Sequence, residues 1–227
     1  MSTTELIFRA IMFAVALPAI VFHEVAHGYA AYFLGDTTAK DKGRLSLNPV
    51  RHIDPFGTIL LPMLMVAMFG FGFGYAKPDP VNPYRFKDYR KGMFLTGIAG
   101  PATNLVLAAL SGVLARVVYT YGGALGAAGE YVLVGLILFA YINLVLLFFN
   151  LIPLPPLDGS RVLPLFLSDR AMGVYHQWER YGFLILFAVM FLAPRLLGFD
   201  PIGAYFAATV DPLLRLFAGE AARMVIG

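Results

Sequence analysis

Long uncharged apolar runs alternate along this chain with short polar stretches. Ile7 to Leu34 is apolar apart from Arg9 and a cluster at His23, Glu24 and His27, while Gly57 to Ala76, Met93 to Ala115 and Tyr131 to Leu157 carry no charge at all. A helix needs about 20 predominantly apolar residues to span a bilayer, and each run is long enough. Tyr181 to Pro194 and Pro201 to Val210 are shorter and are broken by Pro194, Arg195, Asp200 and Pro201. Pro212 to Ile226 sets Leu213, Leu216, Phe217, Ala221, Met224 and Val225 opposite Arg215, Glu220 and Arg223, which predicts a helix lying in the membrane interface. The polar stretches are Asp36 to Pro55, the basic, proline-rich Lys77 to Lys91, and Gly159 to Arg180. Within the first, Gly43-Arg44-Leu45-Ser46-Leu47-Asn48 alternates polar and apolar positions and stops at Pro49, which reads as a short strand.

Composition makes the membrane reading firm. Apolar side chains are 59% of the 227 residues and charged ones 14%, against roughly 45–50% and about 25% in soluble domains. The formal charge of +3 sits in loops between apolar runs, which excludes nucleic acid as a partner and makes the lipid bilayer the surroundings. The first run lacks a basic n-region followed by a short apolar core, so it does not read as a cleaved signal peptide. There is no cysteine, so a metal has to be held by His, Asp, Glu or Asn.

His23-Glu24-Val25-Ala26-His27 supplies such ligands. On a helix, residues i and i+4 share a face, so both imidazoles reach one cation and Glu24 can act as base on a water beside it. Ionisable groups within an apolar segment are costly and mark function. A catalytic zinc takes three protein ligands and keeps one open position. His52, Asp54 and His176 lie in polar surroundings and read as solvated. Asp158 closes the uncharged run from Tyr131, just after the helix-breaking Pro153, Pro155 and Pro156, and is either the third ligand or part of an interfacial helix C-terminal turn.

The pentapeptide, Gly97-x-x-Gly100-Pro101-x-x-Asn104 in a middle run, and Asn150-x-x-Pro153 through Leu157-Asp158-Gly159 in a later one together resemble the site-2 protease family of intramembrane zinc metalloproteases, in its compact branch without a PDZ insertion. The resemblance covers about residues 7–163. It implies one Zn2+ per chain on His23, His27 and Asp158, with Glu24 as catalytic base. It implies that Asn150 either polarises the scissile carbonyl or orients the substrate. The substrate it implies is a transmembrane helix of another protein. Asn104 and Asn143 are candidates for the substrate cavity, Asn143 because it lies two turns before Asn150 on the same face; the alternative for both is an interhelical hydrogen bond. Leu45 and Leu47 are candidates for a strand edge on which an unwound substrate would pair.

The expected architecture is an all-α polytopic membrane protein in a single domain, 1–227, with a catalytic core over about 7–163 and C-terminal helices over 164–227. Three transmembrane helices carry the zinc site, accompanied by a small membrane-associated β-hairpin. Ligands of one ion share one depth, so the first run and the Tyr131 run should point the same way. That requires Gly57 to Ala76 to enter and leave on one side. The basic loops then share a face, cytoplasmic by the positive-inside rule, with the active site nearer it.

Overall fold

The computed structural model describes residues 3–54, 57, 60, 80–122 and 126–226. Three helices in it are long and apolar enough to cross a membrane: α1 (Thr3–Phe33), α2 (Tyr89–Tyr121) and α3 (Gly126–Asn150). In hydrocarbon every backbone polar group has to be satisfied internally, so uncharged runs of this length fold as helices. The 33 residues of α2 at about 1.5 Å each span roughly 50 Å, more than the roughly 30 Å of hydrocarbon, and its N-terminus is capped by the Asp88 side chain accepting from Lys91 N at 3.1 Å. One side of α2 turns Leu105, Val106, Leu110, Val113, Leu114 and Val117 outward, which is the lipid face of a spanning helix.

Side-chain bonds fix how the three run. His27 meets Thr96 and His23 meets Asn104, so moving back along α1 means moving forward along α2. Asn104 meets Asn143 and Ser111 meets Leu136, the same antiparallel order between α2 and α3. Hence α1 and α3 are parallel, and the end of α1 and the start of α2 lie on one side. The expected entering-and-returning path over Gly57 to Ala76 lies outside the described residues, apart from positions 57 and 60.

The core is built where α2, α3 and a later helix, α5 (Pro201–Ala218), meet. Leu133, Ile137, Ala140, Leu144 and Leu147 form an alternating three- and four-residue stripe on α3, packed against Ala108 and Ala115 of α2 and Val210, Leu214 and Ala218 of α5. Gly112 allows the close approach of α5, since a Cβ there would lie 2.6 Å from Phe217 Cβ. Before α5 come α4 (Asp169–Glu179) and a segment over Gly182–Leu197, bent by 66° from it.

Three expectations change. The stretch from Pro212 does not form a helix of its own: α5 runs through Pro212 to Ala218, the chain turns at Gly219, whose φ is +61°, and Leu214, Ala218, Ala221 and Ala222 are buried against the bundle. Nor do the described residues form the expected β-hairpin: no strand occurs among them. Ser46 and Asn48 side chains compete locally for backbone groups: Ser46 Oγ accepts from Asn48 N at 3.2 Å and Asn48 Oδ1 from Val50 N at 3.1 Å. Ser46 N is spent on Arg44 O (2.8 Å) and Ser46 O on the His52 ring (2.7 Å). Ser46, between Leu45 and Leu47, thus spends its backbone groups within the loop, and no strand forms there. His52, expected in solvent, is buried as part of this knot.

The ends of this loop are clasped. Gly35, at φ +102°, closes α1 with Asp36 N bonding Ala31 O at 2.9 Å, the Schellman arrangement. This aims the fully buried Asp36 carboxylate at Thr38 N (3.0 Å), Thr38 Oγ1 (2.5 Å) and Asn82 N (2.6 Å), with Arg85 at 3.8 Å.

Candidate metal centre

The i, i+4 spacing on α1 brings the two imidazoles to one face, buried against α2. Gly100 makes room for them. A Cβ at that position would lie 2.6 Å from His23 Cε1 and 2.7 Å from His23 Nδ1, and would also collide with His27 Nε2. Asp158 arrives from the other side. After α3 the proline-rich turn leads into Gly159–Val162, and Gly97 lets that turn rest on α2, since a Cβ there would sit 2.8 Å from Arg161 Cβ and 3.1 Å from Asp158 O. Gly159 in turn sits against the Leu151 and Ile152 carbonyls with no space for a side chain.

Three atoms then converge. His23 Nε2, His27 Nε2 and Asp158 Oδ2 are each 3.0 Å from the other two. A tetrahedral zinc with bonds of about 2.0–2.1 Å holds its ligand atoms about 3.3 Å apart, so this triangle is close to the size the ion requires. The other ring nitrogens strengthen the fit. His27 Nδ1 lies 2.6 Å from the Thr96 carbonyl and His23 Nδ1 2.5 Å from Asn104 Oδ1. Each faces an acceptor and is therefore the N–H, which turns the lone pair of each Nε2 toward a carboxylate. Three electron-pair donors aimed at one buried point call for a cation. The remaining oxygen of Asp158 is held by Arg161 at 3.5 Å. Such outer partners orient metal ligands, and neither Thr96 nor Arg161 is legible from residue type: a backbone carbonyl has no residue signature, and an arginine in a polar loop reads as solvated.

The other sequence candidates are placed as follows. Glu24 is half-buried on α1 beside His23. Asn104 and Asn143 are both fully buried and bond each other, Asn104 Nδ2 donating to Asn143 Oδ1 at 2.7 Å, so both are engaged between helices. Asn150 is half-buried at the end of α3 and donates to Leu146 O at 3.0 Å. Leu45 and Leu47 line a cleft of about 310 Å³ with Phe22, Val25, Ala26, Tyr29 and Thr103, on a flank of α1. Asp54 accepts from Gly57 N at 2.7 Å in its own loop. The side chain of His176 lies outside the described residues.

Known proteins carry similar sequences. A model of peptidase family M50 matches residues 120–193, which takes in α3 and the turn bearing Asp158. A Bacillus subtilis protein named "Putative zinc metalloprotease YwhC" is 43% identical over 204 residues, 88% of this chain and 87% of that one. The chain belongs to peptidase family M50. Further M50 relatives are the proteins named "Putative zinc metalloprotease Rip2" of Mycolicibacterium smegmatis (30% identical, over 79% of this chain and 66% of that one) and of Mycobacterium tuberculosis (31%, over 80% and 66%). No solved structure matches. For this M50 chain, a multi-pass membrane protein by its three apolar helices, the metal is zinc.

Proposed function

We propose that this chain is an intramembrane zinc endopeptidase, cutting a peptide bond within or near a transmembrane helix of another protein, as in regulated intramembrane proteolysis. The observation that carries the reading is the convergence of His23 Nε2, His27 Nε2 and Asp158 Oδ2 at one buried point within apolar helices, with Glu24 adjoining.

In this reading His23, His27 and Asp158 hold one zinc. The ion when bound supplies Lewis acidity, which brings water into the neutral range of acidity and polarises a carbonyl. Glu24 takes the proton of the attacking water and returns it to the leaving amine, so the carboxylate ends as it began. Asn150, which spends one N–H on Leu146 O, offers its second to the substrate carbonyl. The cleft with Leu45 and Leu47 receives apolar substrate side chains beside the site. The loops after α1, before α2 and after α3 hold most of the basic residues, so that face is cytoplasmic and the site lies nearer to it.

Metal content separates ligand from base. Asp158→Ala should leave the purified protein without stoichiometric zinc, whereas Glu24→Gln should retain about one zinc per chain and lose cleavage. Loss of zinc from Glu24→Gln with retention in Asp158→Ala would reverse these roles.

A further inference from the structure

The metal reading leaves Asn143 without a task, yet it is fully buried in the centre of the bundle and ends a chain of bonds that begins at His23. An amide has the same shape with its oxygen and nitrogen exchanged, so its direction has to come from its partners. One partner here allows no exchange. The Phe139 backbone carbonyl only accepts, and it lies 2.8 Å from the Asn143 side chain, so the group facing it is the Nδ2 amine. Asn143 Oδ1 then faces Asn104, which has to present its own amine, 2.7 Å away. The Ala19 carbonyl, 3.5 Å from the same Asn104 nitrogen, agrees with that direction. Asn104 Oδ1 is thereby left pointing at His23 Nδ1, which has to carry the proton.

We propose that Asn143 is a positioning residue for the metal centre: through Asn104 it determines which ring nitrogen of His23 faces the ion. The inference rests on the reading of His23, His27 and Asp158 as the zinc ligands. It also divides the two histidines. His27 is oriented by the Thr96 backbone carbonyl, which no substitution removes. His23 is oriented by two side chains in series, and one change can undo it. Without Asn143 the Asn104 amide has only the distant Ala19 carbonyl to set its direction. With the amide reversed, its N–H would demand the lone pair of Nδ1 and leave Nε2–H facing the metal position. That ring cannot ligate through Nε2.

The chain has four histidines, so nitrogen NMR of the zinc-loaded protein with labelled histidine can follow each ring. In wild type, His23 should be ligated through Nε2 with its proton on Nδ1. A His23 ring ligated through Nδ1 would overturn the proposal whatever any variant does. Asn143→Leu should lose that single signature at His23 with His27 unchanged, and should show a zinc dissociation constant raised about 10- to 100-fold in chelator competition, the usual effect of losing a ligand's orienting partner. Asn143→Asp should remain near wild type, because a buried protonated carboxyl still accepts from Asn104 and donates to Phe139 O. If Asn143→Leu keeps wild-type affinity and spectrum while Asp158→Ala loses zinc, the relay is wrong and the ligand set stands. If Asp158→Ala also binds as wild type, the ligand set falls and the proposal with it.

Discussion

Gly100 is where a single hydrogen atom decides whether two imidazoles can share a cation. Gly100→Ala would push its Cβ into both histidine rings, and overpacking of this kind costs about 1–3 kcal/mol. A ligand displaced by as little as about 1 Å loses on the order of 100-fold in rate. The expected result is sub-stoichiometric zinc and cleavage down at least that far; a Gly100→Ala protein with one zinc and an unchanged rate would show that the rings do not need the space. What the sequence displayed at this scale was residue type and spacing: two histidines four apart, and an acid after a proline break. Asn104 and Asn143 were visible only as polar residues in apolar helices. Whether they face a cavity or each other depends on the rotation of α2 against α3, which their spacing along one helix does not carry.

At the scale of elements, the clasp at Asp36 joins the loop after α1 to the loop before α2. Burial alone would raise the Asp36 carboxyl, but its bonds from Thr38 and Asn82, with Arg85 nearby, outweigh burial and hold it below the usual range. A group depressed on folding stabilises the protein above its unfolded pKa, about 3.9, and that contribution is lost as pH falls through the lower folded value. Asp36→Asn should therefore lower the unfolding free energy by about 1.5–3 kcal/mol near neutrality, and the gap to wild type should narrow below about pH 4. A gap independent of pH would assign the effect to shape. The three long helices were legible because uncharged runs have one stable form in lipid. The strand expected over Gly43 to Asn48 does not form: the stretch has the right period, but the Ser46 and Asn48 side chains bond the backbone N–H two residues on instead. The clasp itself connects residues 46 apart, beyond any local pattern.

Across the whole molecule, the parallel course of α1 and α3 places the ends that carry the ligands on one side. Because the chain has no native cysteine, single cysteines report topology directly. Cysteine at Lys42 and at Lys87 should react with an impermeant thiol reagent from the same side of the membrane, and cysteine at Glu130 from the other. Labelling of positions 42 and 87 from opposite sides would contradict the helix directions derived above. Zinc should also support the fold: at about 100 times its dissociation constant a ligand adds about 2.7 kcal/mol. Chelation should therefore lower the thermal midpoint of wild type and leave Asp158→Ala unmoved, and an equal drop in both would place the metal elsewhere.

The most direct test of the central claim is cleavage itself. Purified protein in lipid vesicles would be given a transmembrane peptide, and the products mapped by mass. Wild type should cut within or beside the apolar segment, with no product after Glu24→Gln although that variant still holds its zinc. Cleavage that persists in zinc-loaded Glu24→Gln, or zinc-loaded wild type that cuts soluble extended peptides but no membrane-embedded helix, would contradict it.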